Sequence, residues 1–179
     1  MNRSQLEHLI RAASAVSGER HLVIVGSQAI LGQYPDAPRT LRVSVEADLY
    51  PRDHPELADL IDGAIGELSL FHQHFGYYAQ GVGPTTAVLP EGWQQRLVEV
   101  SSPDTAGATG WCLDVHDLVL AKYVPFREKD EVFIREVIAL RWVRRDRLQR
   151  LLRTLPVAEP VRARIAEQIQ RHFAEPRQR

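Results

Sequence analysis

The run Leu22-Val23-Ile24-Val25 constrains the fold more than any other segment of the sequence. It is fully apolar, rich in β-branched residues and short, which is typical of a strand buried in the interior of a sheet. Because helical patterns stand on both sides of it along the chain, this strand predicts a fold that mixes a β-sheet with helices.

Two further patterns have clear periods. Residues 4–17 carry apolar residues at helical spacing behind a capping-box pattern, Ser4-Gln5-Leu6-Glu7, and predict an amphipathic helix. From Leu41 to Tyr50 apolar and polar residues alternate, which predicts a strand with one polar face.

The remaining elements follow from weaker signals. Residues 55–75 predict a helix that is broken near Gly63 or Gly66, and from Asp117 onward the pattern is helical with a break at Pro125. Short strand candidates lie between turn-forming residues: Tyr77 to Val82, Thr86 to Leu89, Arg96 to Val100 and Trp111 to Val115. The predicted class is α+β, a mixed β-sheet flanked by helices with a helical C-terminal third.

Charge is divided unevenly along the chain. Residues 141–179 hold eleven arginines and four acidic residues, a net charge of +7, whereas the formal charge of the whole chain is −1. We therefore expect a domain over residues 1–140 and an Arg-rich helical extension over residues 141–179 that packs on it.

Several classes of protein are excluded by simple counts. A content of 44% hydrophobic and 25% charged residues is that of an ordinary globular domain. The single cysteine, Cys112, excludes a disulfide framework and a cysteine zinc cluster. The start of the chain lacks the apolar core of a signal peptide, and no apolar run reaches the roughly 20 residues of a membrane span. We expect a cytoplasmic protein.

The first candidate for chemistry is Gly26-Ser27, which follows the buried strand at a predicted helix opening. Glycine lets the backbone approach an anion, serine adds a hydroxyl, and the opening of a helix presents free N–H groups. The arrangement predicts a phosphate site, although Gly-Ser also forms ordinary turns.

The second candidate is the pair Glu46 and Asp48 on the polar face of the next strand. Two residues apart, their side chains point the same way, and two adjacent carboxylates repel each other unless a cation lies between them. Carboxylate oxygens suit Mg²⁺, which bridges to substrate phosphates. The alternative is a solvated strand face.

Together, Gly26-Ser27 and Glu46-Ala47-Asp48 resemble the signature of the nucleotidyltransferase superfamily that includes DNA polymerase β. The downstream residues His116-Asp117-Leu118, Ala121-Lys122 and Arg127-Glu128-Lys129-Asp130 resemble the helix of bacterial nucleotidyltransferase-like proteins related to AbiEii-type toxins. The resemblance spans roughly residues 20–140.

The resemblance implies a role for each matching residue. Glu46 and Asp48 would hold Mg²⁺, with Glu46 standing where aspartate is more usual, and Gly26 and Ser27 would bind the phosphates of a nucleoside triphosphate. Glu99 is the candidate for a third catalytic carboxylate, or else an exposed strand residue.

Basic residues would offset the triphosphate charge in the same family. The candidates are Lys122, Arg127 and Lys129, and the two lysines are the only ones in the chain. A compact ammonium serves phosphate as a point charge. The alternative for Lys129 is a surface residue that pairs with nearby acids.

The implied activity is Mg²⁺-dependent transfer of a nucleotide from an NTP to an RNA or protein acceptor, in a toxin–antitoxin or phage-defence setting. One alternative is a catalytically weak nucleotide- or partner-binding module of the same fold, with a cognate antitoxin as one partner. Another is an RNA-binding domain, for instance for tRNA, that uses the Arg-rich tail; arginines around a leucine stripe are also typical of a solvated helix face. No oligomeric state is predicted.

Overall fold

The computed structural model describes residues 1–174 and divides them into two compact units. The first unit comprises Met1–Ala87 and Arg96–Asp114, and the second comprises Val88–Gln95 and the chain from Val115 onward. The first unit carries a five-stranded mixed sheet with helices, and the second carries the C-terminal helices, so the predicted α+β class is confirmed. Residues 175–179, the end of the predicted Arg-rich extension, lie outside the described residues.

The sheet has the apolar run at its centre. Its strands are β1 (His21–Ile24), β2 (Glu46–Pro51), β3 (Tyr78–Gly81), β4 (Val98–Val100) and β5 (Thr109–Cys112). Their order across the sheet is β3-β2-β1-β5-β4. β1 pairs antiparallel with β2 and parallel with β5, β2 pairs parallel with β3, and β4 pairs antiparallel with β5. The central position explains why β1 contains no polar residue after His21.

Four helices belong to the first unit: α1 (Arg3–Ser17), α2 (Ile30–Gln33), α3 (Ala58–Ile65) and α4 (Leu70–Phe75). Gly81, Leu49, Ile24 and Cys112 form one row across the sheet. A β-carbon on Gly32 of α2 would collide with Cys112, and one on Gly81 would collide with the Ala58 carbonyl of α3. These helices therefore cover the face that carries this row, and alternation puts the polar positions of β2 on the opposite face.

The first helix is confirmed, but its cap differs from the prediction. Asn2, rather than Ser4, is the N-cap: its side chain accepts from the backbone N–H of Gln5, whose own side chain accepts from the N–H of Asn2. Asn2 lies two residues before the predicted Ser4–Glu7 box, so the helix begins earlier and a box of the same kind satisfies its first N–H groups. The helix ends at Ser17 and is capped by Gly18, which adopts φ +78°.

The predicted strand over residues 41–50 is only half right. β2 begins at Glu46, and Val43 and Val45 are 77% and 46% exposed. The carbonyls of Arg42 and Ser44 accept from the N-terminal ammonium of Met1 at 2.7 and 2.9 Å. Two carbonyls of this segment are therefore taken up by the Met1 ammonium, and pairing with β3 starts only at Val45, whose carbonyl accepts from the Tyr78 N–H at 3.0 Å.

Other boundaries also shift. The predicted break between residues 55 and 75 falls at Gly66, whereas Gly63 lies inside α3. Thr86 to Leu89 forms no strand, because the Thr86 N–H donates to the Gly83 carbonyl and closes a turn. β5 ends at Cys112, and Val115 already begins the next helix.

The second unit is helical. It contains α5 (Val115–Tyr123), α6 (Glu128–Ala139), α7 (Arg145–Leu152) and α8 (Glu159–Ala174). α5 ends before Pro125, as predicted. Its last residue, Tyr123, is fully buried, and its hydroxyl lies 2.9 Å from Nδ1 of His172 on α8. None of the helices described in residues 1–174 has both the length and the apolar character needed to cross a membrane.

Candidate active site

The Gly26-Ser27 turn follows β1 after a single residue, Val25. The Val25 N–H donates to the Asp48 carbonyl at 3.0 Å, so the pairing with β2 extends to the edge of the turn. Gly26 is extended, Ser27 begins a single 3₁₀ turn, and α2 follows. The predicted helix opening is therefore present as a 3₁₀ turn and a short helix, and both residues of the Gly-Ser pair are half-buried.

The turn and the carboxylate pair meet at Gly26 and Asp48. A β-carbon on Gly26 would stand 2.7 Å from Cγ of Asp48, which is well inside van der Waals contact. The Asp48 carboxylate therefore lies directly against the backbone of residue 26, and only glycine leaves room for it. This contact brings the two sequence motifs together in one place.

Glu46 lies on the same face of β2 and is held by a tyrosine. The Tyr78 hydroxyl of β3 donates to Oε2 of Glu46 at 3.0 Å. Tyr78 is 6% exposed, and burial, this hydrogen bond and the nearby carboxylates raise the pKa of its phenol to about 12. The phenol is therefore a permanent donor to Glu46 at neutral pH.

Gln28 is the buried polar residue next to the turn. Its side chain is fully buried, and neither amide atom has a hydrogen-bond partner among residues 1–174. An unsatisfied buried amide is costly, so a group without a protein partner points to a bound water or ligand. Gln28 was not among the residues predicted from the sequence.

The donor set fits Mg²⁺ better than a metal that needs a protein cage. Within residues 1–174 no group of three or more His, Cys, Asp or Glu side chains could hold a metal ion. Glu46 and Asp48 are two oxygen donors on one face of one strand. Mg²⁺ is usually bound through one or two carboxylates and completes its shell with waters and substrate phosphates.

Glu99 is not brought together with this pair. It is exposed on β4, which is separated from β2 by β1 and β5. The register runs from Glu99 to Trp111 of β5, to Val23 of β1 and to Tyr50 of β2. Because Tyr50 shares a face with Glu46 and Asp48, Glu99 lies on that same face of the sheet, three strands away. At the usual strand spacing that distance is about 14 Å, too far for a shared cation.

The basic candidates belong to the second unit. The Lys122 ammonium lies 3.3 Å from Oδ1 of Asp130 and above the Phe133 ring, and Arg127 Nε lies 2.9 Å from Oδ2 of the same fully buried carboxylate. Lys129 is exposed. Lys122 and Arg127 therefore serve at least to neutralise Asp130.

Opposing effects set the charge of this cluster. Burial lowers the pKa of Lys122 below its usual value, although Asp130 acts in the opposite direction. For Asp130, burial favours the neutral form, but the hydrogen bonds and charges of Arg127 and Lys122 hold the pKa below its usual value. The carboxylate is thus ionised in the interior because two cations compensate it.

Many arginines of the C-terminal helices have partners inside the second unit. Arg144 and Arg150 pair with Asp146, and Arg162 and Arg164 donate to backbone carbonyls. These side chains join helices or pair along them, which is what a solvated helix face predicts. Arg144 and Arg150 are still 73% and 61% exposed, so the RNA-binding alternative stays a prediction.

Sequence reasoning missed Tyr78 and Gln28. The period of the strand candidate at 77–82 puts Tyr77 and Tyr78 on opposite faces, but it does not show which strand is adjacent. For Gln28, the signal was a polar residue in an apolar segment, Ala29-Ile30-Leu31, that the structure buries completely.

Comparison with known proteins gives one match. The model of a family described as nucleotidyltransferase of unknown function (DUF6036) matches residues 4–175, which is nearly the whole chain. No match was found among curated proteins or among solved structures.

Proposed function

The chain belongs to this family of nucleotidyltransferases of unknown function, and from this premise we propose that it binds a nucleoside triphosphate with Mg²⁺ at Gly26-Ser27, Glu46 and Asp48. It transfers the nucleotide to an RNA or protein acceptor. The observation that carries the proposal is the contact between the Gly26 backbone and the Asp48 carboxylate, because it brings together the turn proposed to bind phosphate and the strand proposed to bind the cation.

Each residue has a defined task in this proposal. Gly26 leaves room for the Asp48 carboxylate beside the phosphates, and the Ser27 hydroxyl contributes a hydrogen bond to them. Glu46 and Asp48 would hold the cation, which would supply positive charge to neutralise the phosphates. Lys122, Arg127 and Lys129 remain proposed contributors to triphosphate charge.

The reaction is an in-line displacement at the α-phosphorus. An acceptor hydroxyl oxygen forms the new P–O bond, the bond to the β-phosphate breaks, pyrophosphate leaves, and the hydroxyl proton passes to water. The residues contribute through positioning and charge, since phosphoryl-type transfer requires little covalent chemistry from the protein.

The direct test uses the four α-³²P-labelled NTPs one at a time, with Mg²⁺ and either total tRNA or the chain itself as acceptor. We expect incorporation with at least one NTP, abolished by EDTA and by Asp48→Asn. Incorporation that survives Asp48→Asn would contradict the proposed site. Nucleotide binding without incorporation would favour the catalytically weak alternative.

The toxin setting has its own test. If tRNA is the acceptor, modification of its end stops translation, so expression of the wild-type chain arrests bacterial growth and expression of Asp48→Asn does not. Equal growth of both cultures, at matched protein levels, would remove the toxin setting while leaving the transferase activity to the labelling assay.

A further inference from the structure

The pairing of β2 with β3 aligns Tyr78 with Glu46. The two strands are parallel, and Glu46 is the register partner of Tyr78. The preceding residue, Tyr77, points to the other face, where its hydroxyl lies 2.8 Å from Nδ1 of His8 on α1. Two adjacent tyrosines thus serve opposite faces of the sheet, and only Tyr78 reaches the carboxylates.

Tyr78 is itself held in place by a histidine. The His72 ring of α4 lies against the Tyr78 ring with a centroid distance of 4.6 Å. His72 is held in turn. Its ring Nδ1 accepts from the Leu68 N–H at 3.1 Å, and its backbone N–H donates to the hydroxyl of Ser69, the residue that caps α4. The phenol therefore has little freedom to turn away from Glu46.

Glu46 needs such a constraint more than Asp48 does. Glutamate has one more rotatable bond than aspartate, so ordering its side chain costs more conformational entropy. The Asp48 carboxylate lies against the Gly26 backbone, whereas the Glu46 carboxylate accepts its hydrogen bond from Tyr78 on the neighbouring strand. The hydrogen bond to Oε2 fixes the plane of the carboxylate and leaves its other oxygen, Oε1, for a cation.

We propose that Tyr78 is the positioning residue of this site, which holds the longer Glu46 side chain where it binds the divalent cation of the proposed reaction, with His72 as its support. The inference rests on the proposed function, since it concerns the same cation. Groups that orient a metal ligand in this way typically contribute about 10–100-fold to metal affinity.

The test measures the affinity of the full chain for Mn²⁺ by electron paramagnetic resonance, with a non-transferable α,β-methylene ATP present so that no turnover is needed. Tyr78→Phe keeps the ring and its tilted contact with His72 but removes the hydroxyl. We expect its dissociation constant for Mn²⁺ to rise at least about tenfold. Tyr77→Phe, the same change on the opposite face, is the matched control and stays within about twofold of wild type, well below that effect.

A double-mutant cycle separates positioning from a general structural effect. In a Glu46→Gln background, Tyr78→Phe has no further effect on Mn²⁺ affinity if the tyrosine acts through Glu46, whereas independent effects add. His72→Ala provides a second variant, with a smaller loss of affinity, should Tyr78→Phe fail to fold. If the wild-type chain binds Mn²⁺ and Tyr78→Phe binds it with the same affinity, the positioning role of Tyr78 is overturned and the proposed function is not. A wild-type chain that binds no Mn²⁺ overturns the proposed function and the inference with it.

Discussion

The backbone of Gly26 lies directly against the carboxylate of Asp48, so close that a β-carbon at residue 26 would stand 2.7 Å from Cγ of Asp48. The strand pairing enforces this proximity, because Val25 and Asp48 are joined by a backbone hydrogen bond of 3.0 Å. The absence of a side chain at residue 26 is therefore a requirement of the site as well as of the turn.

Gly26→Ala will displace the Asp48 carboxylate. We expect a loss of about 1–3 kcal/mol in unfolding free energy from overpacking, measured by urea denaturation, together with loss of the thermal stabilisation by Mg²⁺ and NTP. Gly63→Ala in α3 is the control, since nothing lies within 4 Å of its added β-carbon. That variant gains up to about 1 kcal/mol in unfolding free energy. Equal stability of the two variants would contradict the contact.

Asp48→Asn and Glu99→Gln will separate the two carboxylates by function. The first keeps the shape of the side chain and removes a cation ligand, so we expect nucleotide transfer to fall by about 100-fold or more, equivalent to roughly 2.7 kcal/mol. The second changes an exposed residue three strands from β2, and we expect transfer to remain at the wild-type rate. A matching loss in Glu99→Gln would give Glu99 the third catalytic carboxylate's role despite its distance.

Gln28→Met will report what the buried amide binds. If its atoms have no partner in the free protein, replacing them with an apolar side chain of similar length stabilises the chain by about 1–3 kcal/mol. Unfolding in urea, with and without Mg²⁺ and each NTP, measures this change. A lower stability of the variant without ligand would show that an internal water satisfies the amide.

Asp130→Asn will destabilise the second unit, because it leaves Lys122 and Arg127 without their shared carboxylate. We expect a loss of about 3–5 kcal/mol at neutral pH, as for other broken buried ion pairs. The folded-state pKa of Asp130 lies below its unfolded value of 3.8, so its contribution is present above that value and is lost as the pH falls through the folded pKa.

The difference in unfolding free energy between wild type and Asp130→Asn therefore shrinks below about pH 4, which a urea series across the acid range measures. Asp146→Asn is the control in the same unit. That carboxylate also pairs with two arginines, but it is exposed on the surface, where ion pairs contribute little. A difference that stays constant down to the lowest pH would contradict the ionised state of Asp130.

Much of the fold could be predicted from local patterns. The first helix, the central strand and the break at Pro125 each follow from a period or a single residue type, and so does the shared face of Glu46 and Asp48. The errors arose where local pattern and pairing disagree. Residues 41–45 alternate like a strand, but the Met1 ammonium takes up two of the segment's carbonyls instead of a neighbouring strand.

The sequence by itself determined which residues could carry chemistry: a Gly-Ser turn after a buried strand and two carboxylates on one strand face, since both depend only on the local period of the backbone. Only the tertiary structure decided their neighbours. It put Tyr78 beside Glu46, Asp48 against Gly26 and Glu99 three strands away, and it paired Lys122 with Asp130. The first three relationships depend on strand order and register and the fourth on how α5 and α6 pack, and none of them follows from the local period of the backbone alone.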